Sequence, residues 1–307
     1  MRSQAGVETM EMTAGKIVIP MERPGRIDVR APGRIGDILI ASGVLRANDV
    51  NRVLAFQQSE QLRFGEAAVR LGLISPDDLC RAIAVQYWPA RASNMGENIS
   101  PELVVARDPF HTGAEDLRAL RTQLLIRWSS AGTQQKILAI VSPGPSEGRS
   151  YIAANLSIAF AEIGIRTLLI DADMRAPRQH RIFNVHEPIG LAAFLAGRAD
   201  RSEPVPLPEF GSLSLLPAGA RMHNPQELLS RPALGDLFNQ MRQDFDVILL
   251  DTPPAKRYAD AYGLSFRAGQ AMVLARKDCT RHADTANTVR ELGDTGARVI
   301  GTVLNAF

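Results

Sequence analysis

The chain has 307 residues, a formal net charge of +2 at pH 7 and an apolar fraction of 45%. That length accommodates one core of about 200 residues and a smaller module. The near-neutral charge argues against a protein that coats nucleic acid. No apolar run reaches the roughly 18 residues that span a bilayer and no signal peptide is visible, so we expect a cytoplasmic protein. Its two cysteines, Cys80 and Cys279, are predicted to be free thiols.

The first part of the chain contains an internal repeat. Residues 1–31 show no periodicity and are predicted to be a disordered tail. An offset of 29 residues then relates a copy at 34–57 to a second at 63–86. Apolar positions recur at helical spacing, and each copy is interrupted at its second glycine. We therefore expect a small domain over residues 32–88, in which each copy forms two short helices.

The remainder of the chain alternates strand and helix patterns. Residues 89–112 are proline-rich and are predicted to be a linker with some ordered pieces, and residues 113–128 are predicted to be helical. Strands are predicted over 136–142, 166–171, 213–217, 246–251, 271–276 and 298–304, and helices over 150–163, 224–242 and 282–293. This alternation indicates a doubly wound, mostly parallel α/β sheet within residues 113–307.

A glycine-bearing turn, VSPGPSEGRS at residues 141–150, lies between the first predicted strand and its helix. A turn in that position aims successive backbone N–H groups and a helix N-terminus at one point, which favours phosphate binding. The usual phosphate-binding loop ends in Gly-Lys-Ser or Gly-Lys-Thr, whereas this one ends in Gly148-Arg149-Ser150. Taken alone, an ordinary strand–helix turn is an equal alternative.

Carboxylates follow two later strands of the same pattern: Asp171 and Asp173 after one, and Asp251 after the other. Aspartate is disfavoured within strands and is costly to bury unpaired. At the carboxyl edge of a parallel sheet it faces the ligand crevice, where Mg²⁺ can offset its charge. Together with the loop, these residues predict a nucleotide site.

Four motifs in order, SPGPSEGRS, LLIDADMRAPRQH, NPQELL and DVILLDTPP, resemble the bacterial tyrosine kinases (BY-kinases) of exopolysaccharide synthesis, and among them the EpsG-type chain-length-determinant kinases. The resemblance covers about residues 100–307. It implies a P-loop NTPase fold, ATP and Mg²⁺ as cofactors, and phosphorylation of a tyrosine in another protein. It also implies a homo-oligomer at the inner membrane, held there by a Wzz-like transmembrane polysaccharide copolymerase.

The resemblance also implies roles for individual residues. The predicted ATP-binding set is Gly144, Ser146, Glu147, Gly148, Arg149, Ser150, Tyr151 and Asn305. Ser150, Asp171 and Asp251 are expected to hold Mg²⁺, and Asp173, Arg149 and Asp171 to act in catalysis, with Asp173 as the base. Glu115, Arg118 and Arg121 match a family E-x-x-R-x-x-R helix and are expected to form a subunit contact.

Simpler alternatives stand beside three of these roles. Asp173 is alternatively a salt-bridge partner of Arg175, and Asn305 a C-terminal turn residue. The charged helix residues from Glu115 to Arg121 are alternatively a solvated pair on a helix surface.

The N-terminal repeat separately resembles the MshEN domain, whose tandem motifs bind cyclic di-GMP in some relatives. On that resemblance Arg34, Gly36, Arg63 and Gly65 are candidate cyclic di-GMP ligands. The alternative is a helical docking domain whose glycines act as helix caps.

Two departures from the kinase pattern bear on activity. Arg149 replaces the usual lysine, and arginine is a wide planar fork rather than a compact charge. The tyrosines are Tyr87, Tyr151, Tyr258 and Tyr262, so the usual C-terminal tyrosine cluster is missing. A tyrosine kinase, a nucleotide-binding pseudokinase that gates a copolymerase, and a MinD/ParA-type ATPase therefore remain as functions. The last is disfavoured because the loop lacks an early lysine.

Overall fold

A computed structural model describes residues 34–76, 78–79, 82, 100–108, 111–130, 136–186, 189–199, 203–222 and 224–306. The predicted tail at 1–31, Cys80 and Tyr87 lie outside the described residues. Across the described chain, no helix combines the length and the apolar character needed to cross a bilayer.

The first helices of the two N-terminal repeat copies occupy equivalent positions. Helices α1 (Ile35–Ala41) and α3 (Phe64–Arg70) begin and end at matching positions of the repeat, and α2 (Val50–Glu60) lies between them. The first helix of each copy is followed by a glycine with positive φ, 72° at Gly43 and 66° at Gly72. Apolar side chains from residues 39–82 form a core cluster of their own.

A seven-stranded sheet forms the centre of the remaining chain, in the order β3-β4-β2-β5-β1-β6-β7. The strands are β1 (Ile137–Val141), β2 (Thr167–Asp171), β3 (Val205–Leu207), β4 (Leu213–Leu216), β5 (Val247–Asp251), β6 (Gln270–Arg276) and β7 (Arg298–Asn305). All neighbouring pairs are parallel except β3 with β4. The loops after β1, β2 and β5 therefore meet at one edge of the sheet, which is where parallel sheets bind ligands.

Helices cover both faces of the sheet. They are α4 (Val104–Arg107), α5 (Thr112–Ser130), α6 (Arg149–Ala161), α7 (Gln179–Ile182), α8 (Leu191–Leu195), α9 (Pro225–Ser230), α10 (Pro232–Asp244), α11 (Asp260–Ala268) and α12 (His282–Asp294). Alternate side chains of a strand point to opposite faces. Leu138 and Ile140 of β1 accordingly join a core with α5 and α6, whereas Ile137, Ala139 and Val141 join one with α10 and α11.

The structure corrects one predicted helix and adds elements that were not predicted. The helix predicted over 224–242 is two helices, because Arg231 is extended and Pro232 starts a new helix. Strand β3 was not predicted, and neither was helix α11. Part of the predicted linker is also packed: Leu103, Val105 and Ala106 are buried in the core beside α6.

Candidate active site

The loop between β1 and α6 presents a row of unused backbone donors. Residues 146–150 donate no backbone N–H hydrogen bond to any described residue. Gly148 is the N-cap of α6 with φ 96°, and the first helical bond runs from Ile152 N–H to the Gly148 carbonyl. Five consecutive free donors at a helix N-terminus form an anion-binding geometry. These positions match the predicted phosphate cradle, whose role remains a prediction.

Arg149 is folded into the loop that carries it. Its Nε donates to the Thr252 carbonyl at 2.8 Å, and Nη1 donates to the Gly144 carbonyl at 2.6 Å and to the Ser142 hydroxyl. The side chain is buried, and this burial lowers the pKa of the guanidinium. Three nearby carboxylates act in the opposite direction, but their effect is smaller. Arginine stays a cation in proteins. Within the described chain, Nη2 carries no hydrogen bond and is the group left to face a phosphate.

Glu147 and Asn305 brace this loop from its other side. The buried Glu147 carboxylate accepts from the Gly144 N–H at 2.7 Å and from the Thr280 hydroxyl at 2.5 Å. The Asn305 amide, at the end of β7, donates to the Glu147 carbonyl at 3.2 Å. Asn305 therefore lies next to the loop, as a nucleotide contact requires. One N–H of its side-chain amide is already bonded to the Glu147 carbonyl. Thr280 was not predicted.

Asp171 and Asp251 lie side by side, because the parallel register pairs β2 with β5 at these two residues. Both are fully buried. Asp171 Oδ2 accepts the backbone N–H groups of Arg178 at 3.0 Å and Gln179 at 2.9 Å. Burial and the adjacent Asp251 raise the pKa of Asp171 well above its ordinary value, and burial likewise raises the pKa of Asp251.

Gln179 is a residue of this site that the sequence analysis missed. Its side chain is completely buried, and Nε2 donates to Asp251 Oδ2 at 2.7 Å and to the Ser150 carbonyl at 3.0 Å. It therefore joins the start of α6 to the carboxylate that ends β5. The one signal for Gln179 in the sequence was its place in the motif LLIDADMRAPRQH.

Three buried oxygens at this point have no hydrogen-bond partner in the described chain: Asp171 Oδ1, Asp251 Oδ1 and Gln179 Oε1. Mg²⁺ prefers oxygen ligands and is usually bound by one or two carboxylates together with substrate phosphates. Within the described residues no group of three or more His, Cys, Asp or Glu forms a ready-made metal cluster. The two carboxylates and the half-buried Ser150 at the start of α6 thus fit Mg²⁺ held jointly with a phosphate.

Asp173 faces a cavity of about 270 Å³ that is also lined by the loop residues from Pro145 to Ser150. Asp173 Oδ1 accepts the backbone N–H groups of Arg175 at 3.1 Å and Ala176 at 2.9 Å. Its Oδ2 receives no hydrogen bond from the described residues. The alternative of a salt bridge with Arg175 is wrong, because that guanidinium pairs with Asp260 at 2.7 Å. Tyr151 is half-buried in the first turn of α6, and burial raises its pKa.

The predicted subunit-contact residues are engaged within the chain. Arg118 pairs with Glu115 at 2.5 Å and with the buried Glu162 at 3.1 Å. Arg121 Nη1 donates to the Ala159 carbonyl at 2.9 Å. These contacts hold α5 against the C-terminal end of α6, and the subunit contact remains a prediction.

In the N-terminal repeat, Arg34 and Arg63 are exposed at the N-caps of α1 and α3. The two glycines have packing roles instead. A Cβ at Gly36 would lie 3.3 Å from the Phe64 ring, and one at Gly65 would lie 2.2 Å from the Leu79 side chain. Of the four candidate cyclic di-GMP residues, the arginines are therefore the accessible pair.

Comparison with known proteins identifies the family. A family model described as an AAA domain matches residues 135–268. The tyrosine-protein kinase YwqD of Bacillus subtilis (strain 168) is 30% identical over 216 residues, which cover 70% of this chain and 90% of YwqD. The chain belongs to the bacterial tyrosine kinases.

Other members of the family differ in length. The EpsB protein of Ralstonia solanacearum is 34% identical over 205 residues, which are 67% of this chain but 27% of EpsB. The kinase domain of the Escherichia coli tyrosine kinase ETK superposes with a TM-score of 0.64 and 26% identity, over 71% of this chain and 86% of that domain. The predicted P-loop NTPase-type sheet is confirmed. Nucleotide binding with Mg²⁺ is general to this fold.

We predict that the change Asp171→Asn stabilises the protein in the absence of Mg²⁺. A buried carboxyl with a raised pKa binds more protons in the folded than in the unfolded state, so its contribution to stability falls as pH rises above the ordinary value of about 3.9. Asparagine keeps an acceptor for the two backbone N–H groups and offers a donor to Asp251. The melting temperature of the variant should exceed that of wild type, with a gap that widens from pH 4 to neutrality.

Asp246→Asn is the control, because the charge argument predicts that it changes the melting temperature in the opposite direction. Hydrogen bonds from Arg166 lower the pKa of Asp246, so its stabilisation is present above the ordinary pKa and is lost as pH falls. This variant should melt below wild type at neutral pH, by a small margin because the pair is exposed. An Asp171→Asn variant that also melts lower at neutral pH would contradict the charge argument.

A second prediction concerns Gln179→Leu. It removes the Gln179 donor from the buried Asp251 Oδ2, which costs about 1–3 kcal/mol of unfolding free energy. Affinity for Mg-ADP should fall about 10–100-fold, the usual effect of losing a partner that orients a metal ligand, whereas affinity for ADP without Mg²⁺ should change less.

The measurements for Gln179→Leu are urea unfolding and calorimetric titration with and without Mg²⁺. Gln226→Leu makes the same chemical change at an exposed helix position and should leave both quantities unaltered. An equal loss of affinity in the two titrations would show that Gln179 has no specific link to the metal.

Proposed function

We propose that this chain is an ATP- and Mg²⁺-dependent protein tyrosine kinase that regulates exopolysaccharide polymerisation, chain length and export. One observation carries the proposal: free loop N–H groups, two buried carboxylates with unpartnered oxygens, and Asp173 all meet at one sheet edge. Phosphoryl transfer requires positioning of the phosphates, neutralisation of their charge and a base for the attacking hydroxyl. These three groups match those three requirements.

Each role follows from the local chemistry. The N–H groups of residues 146–150 hold the β-phosphate of the nucleotide, and Asn305 lies where an adenine edge can be contacted. Asp171, Asp251 and Ser150 hold Mg²⁺, which when bound neutralises charge on the phosphates. Asp173 accepts the proton of the substrate tyrosine through its free Oδ2.

The finer assignment within the family is the EpsG type. It is supported by the loop that ends in Gly148-Arg149-Ser150 and by the N-terminal repeat. In this assignment the kinase works as a homo-oligomer at the inner membrane beside a Wzz-like transmembrane copolymerase. In the same assignment its substrate is a tyrosine of another protein.

A nucleotide-binding pseudokinase that gates the copolymerase is the second candidate, and the position of Arg149 favours it. Three hydrogen bonds hold that guanidinium inside the loop. Only Nη2 is left to reach a phosphate, where a lysine would bring a mobile ammonium group. A site built this way binds nucleotide well and stabilises the transition state poorly.

The test is incubation of the full chain with labelled ATP, Mg²⁺ and a tyrosine-containing copolymer of glutamate. A kinase labels the copolymer, and Asp251→Ala abolishes the label. Mg-ATP should also raise the melting temperature by mass action. A melting shift without label would support the pseudokinase, and no shift at millimolar Mg-ATP would contradict both functions.

Arg149→Lys separates the two functions further. Lysine cannot make all three loop hydrogen bonds, so its ammonium is released toward the phosphates. We predict nucleotide affinity within a few-fold of wild type and a faster rate of copolymer labelling, measured side by side. If labelling is instead lost, the loop requires arginine and Arg149 does not limit catalysis.

We also propose that the N-terminal repeat is a cyclic di-GMP sensor. Arg34 and Arg63 are equivalent, exposed and 29 residues apart, which suits a two-fold symmetric dinucleotide. Arginine can bind a guanine edge or a phosphate through paired donors.

Calorimetric titration of the full chain with cyclic di-GMP tests the sensor. Arg34→Ala and Arg63→Ala should each weaken binding at least tenfold, about 1.4 kcal/mol. Arg46→Ala, an exposed arginine of the same module outside the motif, should not. A flat titration with folded protein would leave a docking domain as the better explanation.

A further inference from the structure

The turn between β6 and α12 contacts the candidate phosphate loop from outside the nucleotide motifs. It comprises residues 277–281, and Thr280 lies half-buried within it. The Thr280 hydroxyl accepts the Arg276 backbone N–H at 2.8 Å. A hydroxyl has one proton to donate, and this one is donated to Glu147 Oε1 at 2.5 Å. That distance is typical of a hydroxyl bonded to a carboxylate, so Thr280 holds Glu147 by a charge-assisted bond.

The Glu147 carboxylate extends this contact to the start of the loop. Its Oε2 accepts the Gly144 N–H at 2.7 Å. A Cβ at Gly144 would lie 3.1 Å from Glu147 Oε1, so the missing side chain permits the close approach. The Gly144 carbonyl accepts Arg149 Nη1 at 2.6 Å. Gly144 is therefore held on both sides, and a continuous series of hydrogen bonds joins Thr280 to Arg149.

The loop depends on this support because Ser146 has an unfavourable backbone conformation. Its φ is 58°, in the left-handed region that residues other than glycine rarely adopt. Such a conformation persists only where the surrounding structure fixes it. Ser146 lies inside the ring that the Glu147–Gly144 hydrogen bond closes, and its carbonyl accepts the Arg276 guanidinium at 3.3 Å. The free N–H groups of residues 146–150 begin at Ser146, so their directions follow from its backbone.

We propose that Thr280 is a positioning residue for nucleotide binding, which holds the phosphate loop in its binding conformation through Glu147. The inference rests on the proposed function and adds a residue to the same site. The described residues that line the cavity do not include Thr280, so its effect reaches the phosphates through the loop. Without the hydroxyl, Glu147 keeps its charge but loses one of two donors, and the loop spends less time in the conformation that binds.

The experiment is calorimetric titration of the full chain with ADP, with and without Mg²⁺. Thr280→Val replaces the hydroxyl by a methyl group, which removes a hydrogen bond to a charged group and should weaken ADP binding about tenfold. The loss should be equal in the two titrations because the loop, and not the metal, is disturbed. Gln179→Leu should differ in this respect, since its loss depends on Mg²⁺. Thr280→Ser keeps the hydroxyl and should retain wild-type affinity.

Thr288→Val is the matched control. It makes the same chemical change at a buried hydroxyl of α12, which donates to the Asp284 carbonyl at 2.9 Å. It should lower the melting temperature and leave the ADP affinity of the folded protein unchanged, so it separates loop positioning from general destabilisation. Thr280→Ala is the second variant, with the same expected loss of affinity, and it carries the test if Thr280→Val does not fold.

A double-mutant cycle tests whether Thr280 acts through Glu147. Thr280→Val is combined with Glu147→Gln, and the ADP affinities of both single variants, the double variant and wild type are compared. Residues that act in one hydrogen-bonded series give non-additive effects. The double variant should therefore lose less affinity than the product of the two single losses.

The outcomes separate this inference from the proposed function. Wild-type affinity in both Thr280→Val and Thr280→Ala, a loss confined to the titration with Mg²⁺, or additive losses in the cycle would each overturn the positioning role. In those three cases the wild-type chain still binds ADP, and the proposed nucleotide function stands. A wild-type chain that binds no ADP would refute both.

Discussion

Two carboxylates buried side by side are the constraint on which the rest of the site depends. The register of β2 and β5 places Asp171 opposite Asp251, and burial of two like charges is costly. Two backbone N–H groups, the Gln179 amide and the attraction of Arg149 offset part of this cost. One oxygen of each carboxylate remains unpartnered. The two carboxylates therefore concentrate negative charge at one point, and this property makes binding of Mg²⁺ favourable.

Arg149 links this excess charge to the loop. Its guanidinium draws the Gly144 carbonyl, the Ser142 hydroxyl and the Thr252 carbonyl together, so one side chain closes the loop and places a cation near Asp251. A lysine has no fixed fork and could not make the same three bonds in one geometry. The replacement of lysine by arginine thus makes the loop more rigid. It also makes the positive side chain less mobile, although a transferring phosphate needs a cation placed beside it.

Much of this fold could be predicted from the sequence because its strongest patterns are local. Strands β1, β2 and β5 are short apolar runs, buried throughout, and aspartates mark where two of them end. Strand β3 could not be predicted in the same way, since it has three residues with Pro206 in the middle and pairs only at the sheet edge.

The site residues that were missed act over long sequence distances. Gln179 reaches Asp251 across 72 residues, and Thr280 reaches Glu147 across 133. The Arg175–Asp260 pair spans 85 residues. Periodicity and turn chemistry describe neighbours along the chain, and they carry no information about which polar side chains the sheet order brings together. Residue types alone likewise offered Asp173 as an alternative partner of Arg175, which pairs with Asp260 instead.

Helix α6 connects the candidate nucleotide site to α5. Its first turn lies at the phosphate loop, and its last turn is held by α5 through Glu162 and the Ala159 carbonyl. Cations are favourable at a helix C-terminus, so Arg118 and Arg121 stabilise α6 from the end opposite the phosphates. A subunit contact that used either arginine would have to compete with these bonds. Assembly through these arginines would therefore act on the helix that begins at the candidate ATP site.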